Sequence, residues 1–171
     1  MSRTLAALAF TGLALRGGAQ DPRPSQRSEL MQMVAATRID IRWIRPVARG
    51  RVLFGALVPY GRIWTPSADS AMRVSFGTDV KINGQPLPAG TYSVWTIPDS
   101  TQWIVIFNKR GTVFHLRSYV ESDDALRVSA KVEALPHLET LSASFPNVDG
   151  RKATFRIQWG TTAVTLEIEA P

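Results

Sequence analysis

Cysteine is absent from all 171 residues. That excludes disulfides, thiolate nucleophiles, cysteine-ligated zinc and lipid attachment through an N-terminal cysteine. Histidine is nearly as scarce, with only His115 and His137. Zinc takes three or four protein ligands, and no H-x-x-x-H or H-E-x-x-H spacing occurs to supply them. The chain also lacks a G-x-S-x-G elbow, a P-loop and a dinucleotide fingerprint. No cofactor and no metal is therefore expected. Long apolar runs are missing as well. Beyond the first residues, no stretch approaches the roughly 20 residues that a spanning helix needs.

What is present begins with an export signature. Arg3 supplies a positive start, Thr4 to Leu15 (TLAALAFTGLAL) an apolar run too short to cross a bilayer, and Gly17-Gly18-Ala19 a small-residue exit. This is the layout of a secretory signal peptide, residues 1–19, cleaved near Ala19. Residues 20–29 are polar and proline-containing and read as a linker. Residues 30–171 form one domain, long enough to bury a core without covalent staples. The expected location is periplasmic or secreted.

The formal charge is +6. Loss of Arg3 and Arg16 with the leader leaves 18 basic against 14 acidic residues, or +4. Arg38, Arg42, Arg45, Arg49, Arg51 and Arg62 crowd one short region with only Asp40 between them. Such a cluster attracts anions: a small molecule, an anionic glycan, a lipid headgroup or an acidic envelope protein. No basic-aromatic pattern for stacking bases accompanies it, so nucleic acid is not an expected partner.

The domain reads as strand after strand. Ile39, Ile41 and Trp43 alternate with Asp40 and Arg42, and Arg45-Pro46 ends that strand, because proline cannot donate to a sheet ladder. Val52 to Phe54 reads as a short strand closed by Gly55, and Ser67 to Ala71 as one helical turn. Strands follow at 72–76 and 80–83, with Asn83-Gly84 suited to a tight turn. Thr91 to Ile97 and the apolar run Trp103 to Phe107 come next, the latter buried on both faces. Val113 to Tyr119 reads as a strand and Glu121 to Asp124 as an acidic loop. Period-two patterns then cover 126–132, 141–145, 153–159 and 164–168, with Gly160-Thr161-Thr162 joining the last two as a hairpin. About ten short strands without a long helix predict an all-β fold, an antiparallel β-sandwich or jelly-roll-like barrel. Trp43, Trp95, Trp103 and Trp159 read as core residues.

Several blocks in order resemble a bacterial exported family catalogued as domain of unknown function 2911. They are Gly50-Arg51, Phe54-Gly55 and Val58-Pro59-Tyr60-Gly61-Arg62-Ile63-Trp64; then Val80-Lys81-Ile82-Asn83-Gly84 and Leu87-Pro88-Ala89-Gly90-Thr91-Tyr92-Ser93; then Ile97-Pro98 and Trp103 to Lys109. The similarity runs from about Leu30 onward. It implies an exported β-rich domain and carries no activity with it. One segment departs from the family. Where such proteins usually read Arg-Thr-Gly-Ala-Asn-Glu, this chain has Thr65-Pro66-Ser67-Ala68-Asp69-Ser70. A basic and an acidic side chain are gone, and Asp69 takes an amide position.

The candidate site is basic and aromatic. Tyr60, Trp64 and Asp69 lie in an irregular connection, preceded by Arg45, Arg49 and Arg51. Aromatic faces stack on sugar rings or apolar groups, and arginine forks take carboxylate or phosphate. His115, with Glu121, Asp123 and Asp124 a few residues on, joins them as a ligand contact; its functional reading is a general base oriented by a carboxylate, or one ligand of a metal site. His137 reads as a loop residue. The expectation is an exported, non-catalytic binding module. The alternative is a small hydrolase-like enzyme whose cleft uses His115 or Asp69 with nearby carboxylates.

Overall fold

The computed structural model describes residues 25–114 and 118–171. The export signature and His115 lie outside the described residues. Nine strands form one antiparallel sheet: β1 (Gln26–Val34), β2 (Thr37–Arg45), β3 (Met72–Phe76), β4 (Val80–Ile82), β5 (Gln85–Leu87), β6 (Gly90–Ile97), β7 (Gln102–Asn108), β8 (Asp124–Asp149) and β9 (Lys152–Glu169). Their spatial order is β1-β2-β3-β6-β7-β8-β9-β4-β5. The fold is all-β, as the alternation predicts. It is a single curled nine-stranded sheet, close to the ten strands expected, and it is not closed into a barrel.

The inner face of this sheet closes on itself. Ile39, Ile41 and Trp43 of β2 share one buried cluster with Val105 of β7 and with Phe155, Leu166 and Ile168 of β9. The alternating residues on β2, β3 and β9 thus do what their period requires. A smaller cluster lies on the outer face, where Trp95 and Ile106 pair across β6 and β7 and pack with Ala71 and Val113. This second burial makes β7 apolar on both sides. All four tryptophans assigned to the core are buried.

Four local expectations are corrected. Strand β1 starts at Gln26, so 26–29 pair with Trp43, Ile44 and their neighbours instead of forming a linker. The Val52–Phe54 strand is a tight turn, with Leu53 C=O accepting from Val58 N–H at 2.8 Å and Gly55 at φ 85°. Ser67–Ala71 forms no helical turn. Ser67 Oγ accepts from Ile44 N–H at 2.9 Å, and Thr65 Oγ1 accepts from Met72 N–H while donating to Val94 C=O. Those bonds pin the segment to three strands. The predicted strand through Val113–Tyr119 reduces, among its described residues, to one bridge between Ser70 and Phe114.

The C-terminal half differs most. The expected strands at 126–132 and 141–145 are one 26-residue β8, and those at 153–159 and 164–168 are one 18-residue β9. Gly160 does not turn the chain. At φ 59° it faces Leu138 where the β8–β9 register shifts, so it bends the strand as a bulge. Pro136 sits within the first of these shifts, between Ala134 and Leu138, where a missing N–H is tolerated. His137 accordingly belongs to a strand rather than a loop.

Candidate functional site

The connection from β2 to β3 is built around the bend of β8. Ala48 N–H donates to Glu139 C=O at 2.7 Å, and Arg49, at φ 52°, points its N–H at Glu139 Oε1 at 2.6 Å. Arg45 Nε donates to Leu141 C=O at 3.1 Å. The Arg51 guanidinium reaches back to two carbonyls of its own loop, Ala48 at 2.9 Å and Val47 at 2.6 Å. Arg45 and Arg51 therefore fasten backbone.

An aromatic group fills the space below this loop. The Phe54 ring is 4.8 Å from that of Trp103 and 5.8 Å from that of Trp64. Trp64 lies nearly parallel to Trp159 at 6.2 Å. Trp64 is fixed by mutual backbone bonds with Thr96, at 2.8 and 2.6 Å. Trp64 thus supports the site from beneath.

Above these rings is a cleft of about 290 Å³, lined by Arg51, Phe54, Tyr60, His137, Trp159 and the Gly160-Thr161-Thr162 bulge. The Tyr60 ring lies over Gly55, where a Cβ would come within 2.9 Å of it. Tyr60 is 43% exposed. At the lip, His137 Nε2 is 3.0 Å from Glu139 Oε2. That contact, and next the Arg49 N–H, hold the Glu139 carboxyl below the ordinary carboxylate range.

The structure thus brings Arg51 and Tyr60 into one cleft and packs Trp64 behind it, against the lining rings of Phe54 and Trp159. Arg45 and Arg49 flank it through β8. Asp69 stands apart, exposed at φ 63° on the turn before β3, and lines neither this cleft nor the one described below. His115 is outside the described residues. Sequence reasoning missed His137, Thr161 and Thr162. The only available signal was their composition, since a pairing of β8 with β9 across two bulges brings them to Tyr60. Among the described residues, no group of three or more His, Asp or Glu is placed to hold a metal ion. No helix among them is long and apolar enough to cross a membrane.

A family model described as protein of unknown function (DUF2911) matches residues 25–168. The chain belongs to this family. The match begins at Ser25, one residue before β1, so the family domain and the folded sheet coincide at that end. No curated protein and no solved structure matches the chain.

Proposed function

We propose that this chain is an exported, non-catalytic binding module that takes one ring of an anionic glycan in the Tyr60 cleft. The observation that carries this reading is the cleft's composition. An exposed aromatic face, two threonine hydroxyls and a guanidinium surround one concavity at the small end of ligand-site sizes. An aromatic face suits the apolar side of a sugar ring, hydroxyls suit its polar edge, and Arg51 keeps free N–H groups and its charge for a carboxylate. The export part rests on the Arg3, Thr4–Leu15 and Ala19 pattern. Its check is the N-terminal mass of the protein made with its own leader, which should begin at Gln20.

The binding test is a screen of neutral and uronic-acid oligosaccharides against the parent chain and Tyr60→Ala. Tyr60 is half in water, so the variant should fold with an unchanged melting temperature. Its affinity for an acidic oligosaccharide should drop about tenfold. If no acidic oligosaccharide binds, or Y60A binds as well as the parent, the reading is wrong.

A second reading draws on the His137–Glu139 contact. A histidine oriented by a carboxylate at a cleft lip is the arrangement of a general base. Release of hydrolysed product from a bound oligosaccharide, abolished by His137→Gln with binding retained, would favour an enzyme.

A further inference from the structure

A second cleft, of about 260 Å³, lies on the outer face of β1, β2 and β3. Three arginines border it, one from each strand: Arg27, Arg42 and Arg73. The strand register sets their geometry. Arg42 is directly opposite Arg73, Glu29 is opposite Arg42, and Arg27 is opposite Ile44. All therefore point to the same side of the sheet.

Like charges facing each other across an antiparallel pair destabilise it. Among the described residues, the only carboxylate lining the cleft is Glu29, 3.3 Å from Arg42 Nε, with both side chains more than half exposed. Such a pair is weak and readily exchanged. Neither the Arg27 nor the Arg73 guanidinium has a hydrogen-bond or ion-pair partner among the described residues. The contrast with other arginines is sharp. Arg45 and Arg51 are tied to carbonyls, Arg38 to Asp40, Arg110 to Asp123 and Arg127 to Asp124.

The cleft itself is formed from apolar and backbone groups. Ile44 and Ala71 are both nearly buried beneath it. Its far wall is the Gly111-Thr112 backbone, which passes so close to Thr91 that a Cβ on Gly111 would fall 2.8 Å from the Thr91 carbonyl oxygen. An apolar floor under converging charges strengthens their field at the mouth. Three guanidinium groups against one carboxylate leave an excess of two positive charges. A carboxylate ligand would neutralise one of them. A phosphate monoester carries nearly two negative charges at neutral pH and offers three oxygens to the planar forks.

We propose that this cleft binds a phosphate monoester group, with Arg42 and Arg73 as its two forks and Arg27 as the third charge. This site is separate from the Tyr60 cleft, and its test does not depend on the glycan reading.

The experiment uses the leaderless chain and titrates phenyl phosphate and inorganic phosphate by calorimetry, with acetate as the carboxylate comparison. Vesicles of phosphatidylcholine with and without phosphatidic acid form a second arm. Phosphate should bind more tightly than acetate. Arg73→Gln and Arg42→Gln should each weaken it about tenfold or more, since each removes charge-assisted hydrogen bonds. Glu29→Gln should tighten binding, because it removes the competing carboxylate. Arg62→Gln, outside the cleft, should leave it unchanged. Binding of the soluble phosphates identifies a small phosphorylated ligand, and binding confined to phosphatidic-acid vesicles identifies a lipid headgroup. The proposal is overturned if no phosphate probe binds in either arm, if R42Q and R73Q bind like the parent, or if R62Q weakens binding as much as they do.

Discussion

Among single residues, the most constrained polar group is the Asp124 carboxylate at the start of β8. It accepts from Tyr119 Oη at 2.7 Å, from Arg127 Nε at 2.8 Å and from Asn108 Nδ2 at 2.8 Å. Arg127 also donates to the Tyr119 oxygen at 2.8 Å. Burial, and then the bond to Asp124, push the Tyr119 phenol from 10 up to about 12. The sign of the stability effect follows. Between pH 10 and about 12 the unfolded chain has lost this proton while the folded chain retains it. Folding stability therefore falls as pH rises through that window, and this group does not alter it below pH 10. Ultraviolet titration of the tyrosinates should show a late Tyr119 phenol, beside that of Tyr92, which burial also raises, and Asp124→Asn should move the Tyr119 step back toward 10. An unchanged Tyr119 step in D124N would mean that Asp124 is not the neighbour that matters. None of this was legible in the sequence beyond an acidic stretch near His115. The network forms because β7 and β8 pair with a register shift at Asn108, which sequence periodicity does not record.

Among elements, the strands with strict alternation were legible, and those shaped by irregularity were not. Strands β2 and β3 follow directly from period-two patterns, with Arg45-Pro46 ending β2; β7 follows from its apolar run, and the β4–β5 turn from Asn83-Gly84, whose φ values of 49° and 78° are those of a tight turn. Gly160 misleads because glycine followed by threonines looks like a hairpin loop. The packing gives it another role. Its φ is 59°, and a Cβ there would stand 2.8 Å from Leu53 Cδ1. Glycine is needed both for the bend of β9 and for the approach of the loop that carries Arg51 and Tyr60. Gly150 is a useful comparison, since its φ is 54° but a Cβ there would meet nothing within 4 Å. Gly150→Ala should cost the strain alone, and Gly160→Ala that strain plus about 1–3 kcal/mol of overpacking. Urea unfolding of the two variants measures the difference. Equal losses would show that Leu53 moves aside at no cost. The site is legible to the same degree as its elements. Arg51 and Tyr60 come from one loop and were found together, whereas Arg27, Arg42 and Arg73 come from three strands and meet only through register.

At the scale of the whole molecule, the sheet has two apolar faces of very unequal size. The inner cluster draws on every strand, from Val34 on β1 to Ile168 on β9. The outer cluster has four buried residues, Ala71, Trp95, Ile106 and Val113, with Ile63, Ile97, Ile104 and Tyr119 around them. Strands β6 and β7 serve both, since Trp95 and Ile106 face outward while Val94 and Phe107 face inward. Loss of the inner cluster must therefore abolish the outer one, but the outer cluster can open by lifting its covering segments while the sheet persists. Local opening of that kind lies below the global unfolding free energy. Hydrogen exchange should separate the two. The Gly61 amide bonded to Pro98, the Ala71 amide bonded to Val113 and the Lys109 amide bonded to Asp123 should exchange through the smaller opening. The ladder amides of β6 and β7 should exchange only with global unfolding, and their rates alone should follow urea with the full denaturant slope. The arginine cleft shares Ala71 and Val113 with the outer cluster, so a phosphate ligand should slow the Ala71 amide before it affects those of the strands. Equal protection of Ala71 and the β7 ladder in the ligand-free chain would show that the two faces unfold as one unit.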